Sequence, residues 1–198
     1  MKRIKRLFKV FCLLLVLGVV SILGLYFMAY ISPVLDIKTT GQYYIYDHNE
    51  TIVYQGSGTS KWVSLSDVSP DFLNAIISIE DKNFYKHKGF DYLRIIKTML
   101  QNIKSRKVVG GASTISQQYV KNLYLDFDKT WERKIEEAWL TLKLEMHYSK
   151  DEILEGYINT INFGQGNFGI GSAAEYYFNK SAKDLTLEES IVLAGIPK

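Results

Sequence analysis

"SIEDKNFYKHKGFD", residues 78–91, follows the apolar run Ala75-Ile76-Ile77 and places two acids, Glu80 and Asp81, at its end. Upstream, Ser69 and Pro70 suit the cap and first position of a helix. Phe72, Leu73, Ile76 and Ile77 then recur at helical spacing, so the pattern predicts a helix from Pro70 that ends at Glu80. At a helix C-terminus the dipole disfavours a negative charge, and the neighbouring Ile77, Ile79 and Phe84 would shield it from water. Those are conditions under which a carboxylate serves as a general base. On this stretch alone, a surface acid paired with Lys82 or His87 fits better, and His87 fits a role bracing its loop.

Working outward from this stretch, the chain is uneven. Lys2, Arg3, Lys5, Arg6 and Lys9 crowd the start, and no charged residue occurs from Val10 to Leu35. A membrane-spanning helix needs about 20 apolar residues, and a cleaved signal has a shorter apolar core of roughly 7–15. The expectation is therefore a basic cytoplasmic tail over 1–9 and a transmembrane signal-anchor helix over 10–35. The basic flank stays on the cytoplasmic side, which puts the remainder on the extracytoplasmic face. Residues 36–61 read as a membrane-proximal linker and β-hairpin, because "QYYIYDHNETIVYQG" alternates and is rich in Tyr, Ile and Val around a polar Asp47-His48-Asn49-Glu50 tip. Residues 62–198 read as a mostly helical domain. Ser149 with Glu152, and Thr186 with Glu189, have the spacing of capping boxes.

Composition narrows the class. The chain has 198 residues, 47% hydrophobic and 23% charged, which describes a folded protein. A formal net charge of +3 is too small to indicate a nucleic-acid binder. The single cysteine, Cys12, rules out disulfides within the chain and makes a cysteine metal site implausible.

Two further polar clusters carry chemistry. "GGASTISQQYVKN", residues 110–122, joins two glycines to a helix start that Ser113 or Thr114 can cap, and helix N-termini offer free N–H groups to phosphate or sugar oxygens. A capped helix after a flexible loop fits the same residues without any ligand. In "KTWERKIEEAWLTLKLE", Arg133 and Glu137 are four apart and share a helical face, Lys134 lies beside it, and Ile135, Ala138, Trp139 and Leu142 supply an apolar side. By spacing alone this is an exposed, ion-paired helix.

Taken in order, these segments resemble family 51 glycosyltransferases, the peptidoglycan transglycosylase domain of monofunctional transglycosylases and class A penicillin-binding proteins. "EDKNFYKHKGFD" resembles the first motif of that family, "GASTISQQYVKN" the second, "RKIEE" the third, "KDEILEGYIN" the fourth and "FGQGNFGIGSAAEYYFNK" the fifth. The likeness covers roughly residues 62–197. It implies a mainly α, lysozyme-like domain with a small β-hairpin near the membrane, preceded by one transmembrane helix. It also implies polymerisation of lipid II into β-1,4-linked glycan strands, with release of undecaprenyl diphosphate and inversion at the anomeric carbon.

The resemblance further implies Glu80 as the base that activates the attacking hydroxyl. Glu137 is implied as a second catalytic glutamate, at the donor side or holding the cation cluster and a metal. Substrate contacts are implied for Asp81, Phe84 and His87 of the first motif and for Ser113, Thr114, Gln117, Gln118 and Lys121 of the second. They are implied as well for Lys129, Arg133 and Lys134 around the third. Lys129 falls where some relatives carry arginine, Ser116 where threonine is commoner and Lys97 where arginine is usual. The only cofactor implied is a divalent cation such as Mg²⁺ on the substrate diphosphate, with no dedicated metal site in the sequence. The partners implied are lipid II, the lipid-linked growing strand, the cytoplasmic membrane and other wall-synthesis or division proteins, with no nucleic acid.

Relatives continue for some tens of residues beyond "LAGIPK", so the domain is expected to be truncated at its C-terminus, or the chain to be a fragment of a bifunctional class A penicillin-binding protein. No Ser-x-x-Lys of a transpeptidase occurs in the 198 residues. A lysozyme-like hydrolase would need a carboxyl pair and a water but no cations for a diphosphate, so Lys121 and Arg133 argue against it. A non-catalytic membrane-anchored scaffold is the other alternative, and it would tolerate loss of either glutamate.

Overall fold

The computed structural model describes residues 2–37, 42–48, 52–57, 62–107, 111–125 and 130–197. The chain is mainly helical. Helix α1, Lys2–Ile31, contains a stretch of 27 residues, Lys5–Ile31, with a mean hydropathy of 2.7, long and apolar enough to cross a bilayer. Strands β1, Gln42–Tyr46, and β2, Ile52–Ser57, pair antiparallel, with Gln42 opposite Ser57 and a register shift between Ile45 and Tyr46. Among the described residues seven α-helices follow: α2 (Pro70–Glu80), α3 (Tyr92–Ser105), α4 (Ile115–Tyr124), α5 (Trp131–His147), α6 (Lys150–Thr160), α7 (Ile170–Phe178) and α8 (Leu187–Ala194).

Helix α6 forms the centre. Ile153, Leu154, Gly156, Tyr157, Ile158 and Asn159 are all buried, so the helix is enclosed nearly all round. Against it pack Ile115, Tyr119 and Val120 of α4, and the same core takes in Phe72 and Ile76 of α2, Leu144 of α5 and Leu193 of α8. The capping boxes Ser149–Glu152 and Thr186–Glu189 start α6 and α8, and Thr114–Gln117 starts α4. Ser69 occupies the cap position of α2, but its side chain makes no capping bond. Its backbone N–H instead donates to the Ala182 carbonyl at 2.9 Å.

Gly156 sets how closely α4 approaches α6. A Cβ there would stand 2.0 Å from the Tyr119 hydroxyl oxygen and 2.3 Å from the adjoining ring carbon. Gly156→Ala must displace a wholly buried ring, and overpacking of this severity costs about 3 kcal/mol. Urea unfolding of the detergent-solubilised chain should show that loss; unchanged stability would mean the two helices part freely here.

The anchor helix ends at Ile31 rather than running to Leu35. Pro33 disfavours helical geometry in the residue before it and has no N–H to continue the ladder. Leu35 and Ile37 turn into the domain core instead. Three tyrosine hydroxyls hold this segment by successive carbonyls: Tyr148 donates to Leu35, Tyr124 to Asp36, and Tyr119 to Ile37 at 2.6 Å. Burial pushes the Tyr119 hydroxyl's pKa well above the usual tyrosine range, so it remains a donor. His147 adds a ring-nitrogen contact to the Ala29 carbonyl at 3.1 Å and stacks on Tyr30. The anchor is thereby coupled to the helical body at several points.

Helix α5 departs most from its sequence pattern. Its buried residues are Glu137, Thr141, Leu144 and Glu145, whereas Ile135 is 71% exposed. The polar edge faces inward because the neighbouring α4 supplies partners for it.

Candidate active site

Helix α4 organises the site. Glu80 is the last residue of α2, and its Oε2 accepts from Gln118 Nε2 at 2.7 Å. Glu137 projects from α5, and its Oε1 accepts from Gln117 Nε2 at 3.1 Å. The two glutamates are thus tied to consecutive glutamines, whose side chains leave a helix about 100° apart.

The start of α4 is held by the first polar stretch. Asp81 is wholly buried and its two carboxylate oxygens lie 3.0 Å from His87 Nε2. Oδ2 also accepts from the backbone N–H of Ile115 at 3.1 Å, which places a carboxylate on an unsatisfied donor at the positive end of α4. Thr114 donates to the Gly89 carbonyl at 2.6 Å, and Gly89 has the positive φ of +85° that this close turn requires. Phe84 is buried, with His87 edge-on to it, so both side chains brace the loop. Asp91 caps α3, and donation from Asn83 and then from the Arg94 backbone N–H lowers its carboxyl pKa below the usual range. The Arg94 guanidinium also donates to the Glu80 main-chain carbonyl.

On the opposite side Glu137 gathers cations. Arg133 Nη1 lies 3.1 Å from its Oε2, and Lys134 bonds its Oε1. The Arg133 Nε–H is buried and has no hydrogen-bond partner among the described residues. Thr130 and Trp131 share a shallow depression with Arg133 and Lys134. Both Glu137 oxygens are already engaged, and among the described residues no group of three or more His, Cys, Asp or Glu side chains is gathered to hold a metal. The described residues therefore do not fit a protein-held divalent cation.

Lys121, one turn beyond Gln118, opens with it onto a cavity of about 390 Å³ whose walls include Asn122, Asn162 and Phe168. Ser113 precedes the α4 cap and is half-buried. Lys129 lies outside the described residues. The structure thus draws Glu80, Asp81, Phe84, His87, Thr114, Gln117, Gln118, Arg133, Lys134 and Glu137 around α4.

Several participants escape sequence reasoning. Glu145 is buried one helical turn beyond Thr141, accepts from Ser116, and pairs with Lys150 at 2.6 Å. Burial lowers the pKa of the Lys150 ammonium, although Glu145 opposes this, and its Nζ lies 4.3 Å from the centre of the Phe84 ring. Glu155 and Asn159 of α6 bind Trp62, Val63 and Leu65 of the entering chain at 2.8–3.1 Å. Tyr157 donates to Gln118 Oε1 at 3.1 Å. The i, i+4 spacing of Glu155–Asn159 and of Glu137–Thr141–Glu145 was the available signal, but it looks the same as a solvated face.

A family model described as transglycosylase matches residues 48–198. Penicillin-binding protein 2D of Bacillus subtilis (strain 168) is 46% identical over 179 residues, which are 85% of this chain and 26% of that protein. Penicillin-binding protein 4 of the same organism is 37% identical over 165 residues, 82% of this chain and 26% of that protein. Penicillin-binding protein 1A of Neisseria gonorrhoeae is 44% identical over 149 residues, 75% of this chain and 19% of that protein. The chain belongs to the transglycosylase family. It spans between 19% and 26% of the length of these relatives.

Proposed function

We propose that this chain is a peptidoglycan glycosyltransferase that polymerises lipid II. The observation that carries the reading is the placement of Glu80 and Glu137 on consecutive glutamines of α4, the first on Gln118, which lines a cavity, and the second beneath a cation pair. The 4-hydroxyl of the acceptor's GlcNAc is a poor nucleophile until a base takes its proton. Glu80 takes that proton as the oxygen attacks C1 of the donor's MurNAc from the face opposite the leaving group. The bond from C1 to the diphosphate oxygen breaks, its electron pair leaves with undecaprenyl diphosphate, and the new link is β.

Charge develops on the departing diphosphate, where preorganised cations stabilise it most. Arg133, Lys134 and Lys121 fill that role, with Lys129 added from the same region of the sequence. Glu137 holds Arg133 and Lys134 in place. Asp81, His87, Phe84, Ser113, Thr114 and Gln117 shape the loop and helix start that receive the substrate. Any divalent cation arrives on the diphosphate itself. The cations also set the reaction apart from hydrolysis, which has no use for them.

In this reading α1 is the membrane anchor, residues 1–9 lie in the cytoplasm, and the lysozyme-like domain over 62–198 works on the extracytoplasmic face beside its lipid substrate. Helix α3 supports a bilayer-facing surface: Tyr92, Leu93, Ile96, Met99, Leu100 and Ile103 are all exposed, with Lys97 and Lys104 on the same helix to meet anionic head groups. Protease added to intact spheroplasts should cut residues beyond 40, and protection of that region would overturn the orientation. The function itself is tested by incubating the detergent-solubilised chain with labelled lipid II. Glycan strands are expected, and a folded chain that binds lipid II without extending it would leave only a scaffold.

A further inference from the structure

Tyr157 lies in the fourth motif and has no part in the chemistry above, yet it is wholly buried and points at the site. Its hydroxyl donates to Gln118 Oε1 at 3.1 Å, and the other end of the same amide donates to Glu80 Oε2 at 2.7 Å. We infer that Tyr157 and Gln118 are positioning residues that together hold Glu80 aimed for proton abstraction. The inference rests on the reading of Glu80 as the base.

A primary amide has one donating end and one accepting end. With its oxygen turned to Tyr157, Gln118 can only present N–H to Glu80, and an N–H favours the carboxylate over the carboxylic acid. The opposite setting would have a protonated Glu80 donate to the amide oxygen while the amide nitrogen donates to Tyr157. A phenol is a better donor than acceptor, because its ring draws on the oxygen lone pair, so Tyr157 favours the first setting. Hydrogen bonds in such a chain also polarise and strengthen one another. Burial raises the pKa of the Tyr157 hydroxyl far above the ordinary tyrosine range, with the charges of Glu80 and Asp81 adding to the effect, so it keeps its proton throughout.

Two of the other charged groups near Glu80 are already committed. Arg94 of α3 bonds its main-chain carbonyl, and Asp81 is paired with His87. Lys82 is exposed on the loop, and Lys121 lies one turn beyond Gln118 on α4. Helix α8, packed on α2, carries Glu188 and pairs Glu189 with Lys180 at 2.8 Å. Gln118 is the side chain that carries Tyr157's influence to the carboxylate.

The test follows the full chain in detergent with lipid II, as parent, Tyr157→Phe, Gln118→Ala and Glu80→Gln. Two quantities are read against pH: the polymerisation rate, and the ¹³C carboxyl shift of Glu80, assigned by its loss in Glu80→Gln. In Tyr157→Phe the acid limb of the rate profile and the carboxyl signal should move to higher pH together, and further in Gln118→Ala. The plateau rate of Tyr157→Phe at high pH should approach the parent's. A rate lowered equally at every pH, with an unmoved carboxyl midpoint, would reduce Tyr157 to a structural role and overturn the inference. A midpoint that moves without the acid limb would keep the chain of bonds and overturn Glu80 as base instead. Should loss of the buried hydroxyl unfold Tyr157→Phe, Gln118→Ala on its half-buried site gives the same reading, and an unmoved midpoint there overturns the inference.

Discussion

Glu80→Gln should lower glycan polymerisation by about two to four orders of magnitude, the span that general-base catalysis contributes, while leaving the melting temperature unchanged. Glutamine has the shape of glutamate, and its carbonyl oxygen can still accept from Gln118, which lies 2.7 Å from the glutamate in the parent. Arg94 bonds the main-chain carbonyl at this position, so the substitution leaves that contact intact. What disappears is the oxygen that takes a proton. The measurement is strand formation from labelled lipid II, with melting followed by circular dichroism on the same samples. Strands at the parent rate would remove Glu80 from the chemistry.

Glu137→Ala should cost both rate and stability. The carboxylate is 2% exposed and accepts from Gln117, Arg133 and Lys134. Its loss frees the two cations from the geometry in which they meet the diphosphate, and losing one preorganised electrostatic contact lowers turnover by about 10²–10³-fold. The stability loss should be about 1–3 kcal/mol, since Gln117 loses its buried acceptor. It should not be greater, because the Lys134 side chain is 42% exposed and water can take over its charge. Steady-state kinetics should show the loss in turnover more than in KM, as expected of an interaction strongest in the transition state. Activity within tenfold of the parent would place Glu137 among the purely structural acids.

Membership of the transglycosylase family and the helical class were legible in the sequence because both rest on local order. Five motifs stand in sequence, α2 follows from apolar spacing after Pro70, and α4, α6 and α8 follow from cap residues a few positions away. The long apolar helix α1 was legible for the same reason, since the uncharged run stands within one local stretch. Where it ended was less so: Pro33 stops the helix, but that Leu35 and Ile37 enter the core depends on Tyr119, Tyr124 and Tyr148, residues more than eighty positions away.

The inward face of α5 shows the same limit. Sequence spacing gave α5 an apolar side of Ile135, Ala138, Trp139 and Leu142 and otherwise read as an exposed, ion-paired helix. Tertiary structure buried Glu137, Thr141 and Glu145 instead, because α4 brought Gln117 and Ser116 to meet the acids, and a buried carboxylate is tolerated where donors satisfy it. Sequence alone determined which residue types the site contains, which helices carry them and the class of chemistry they suit. Only the fold decided that Glu80 bonds Gln118 rather than Lys82 or His87, that His87 belongs to Asp81, and that Tyr157 stands behind the amide. Those pairings join residues 6 to 39 positions apart, and the packing of α2, α4 and α6 fixes them through contacts that no local pattern encodes.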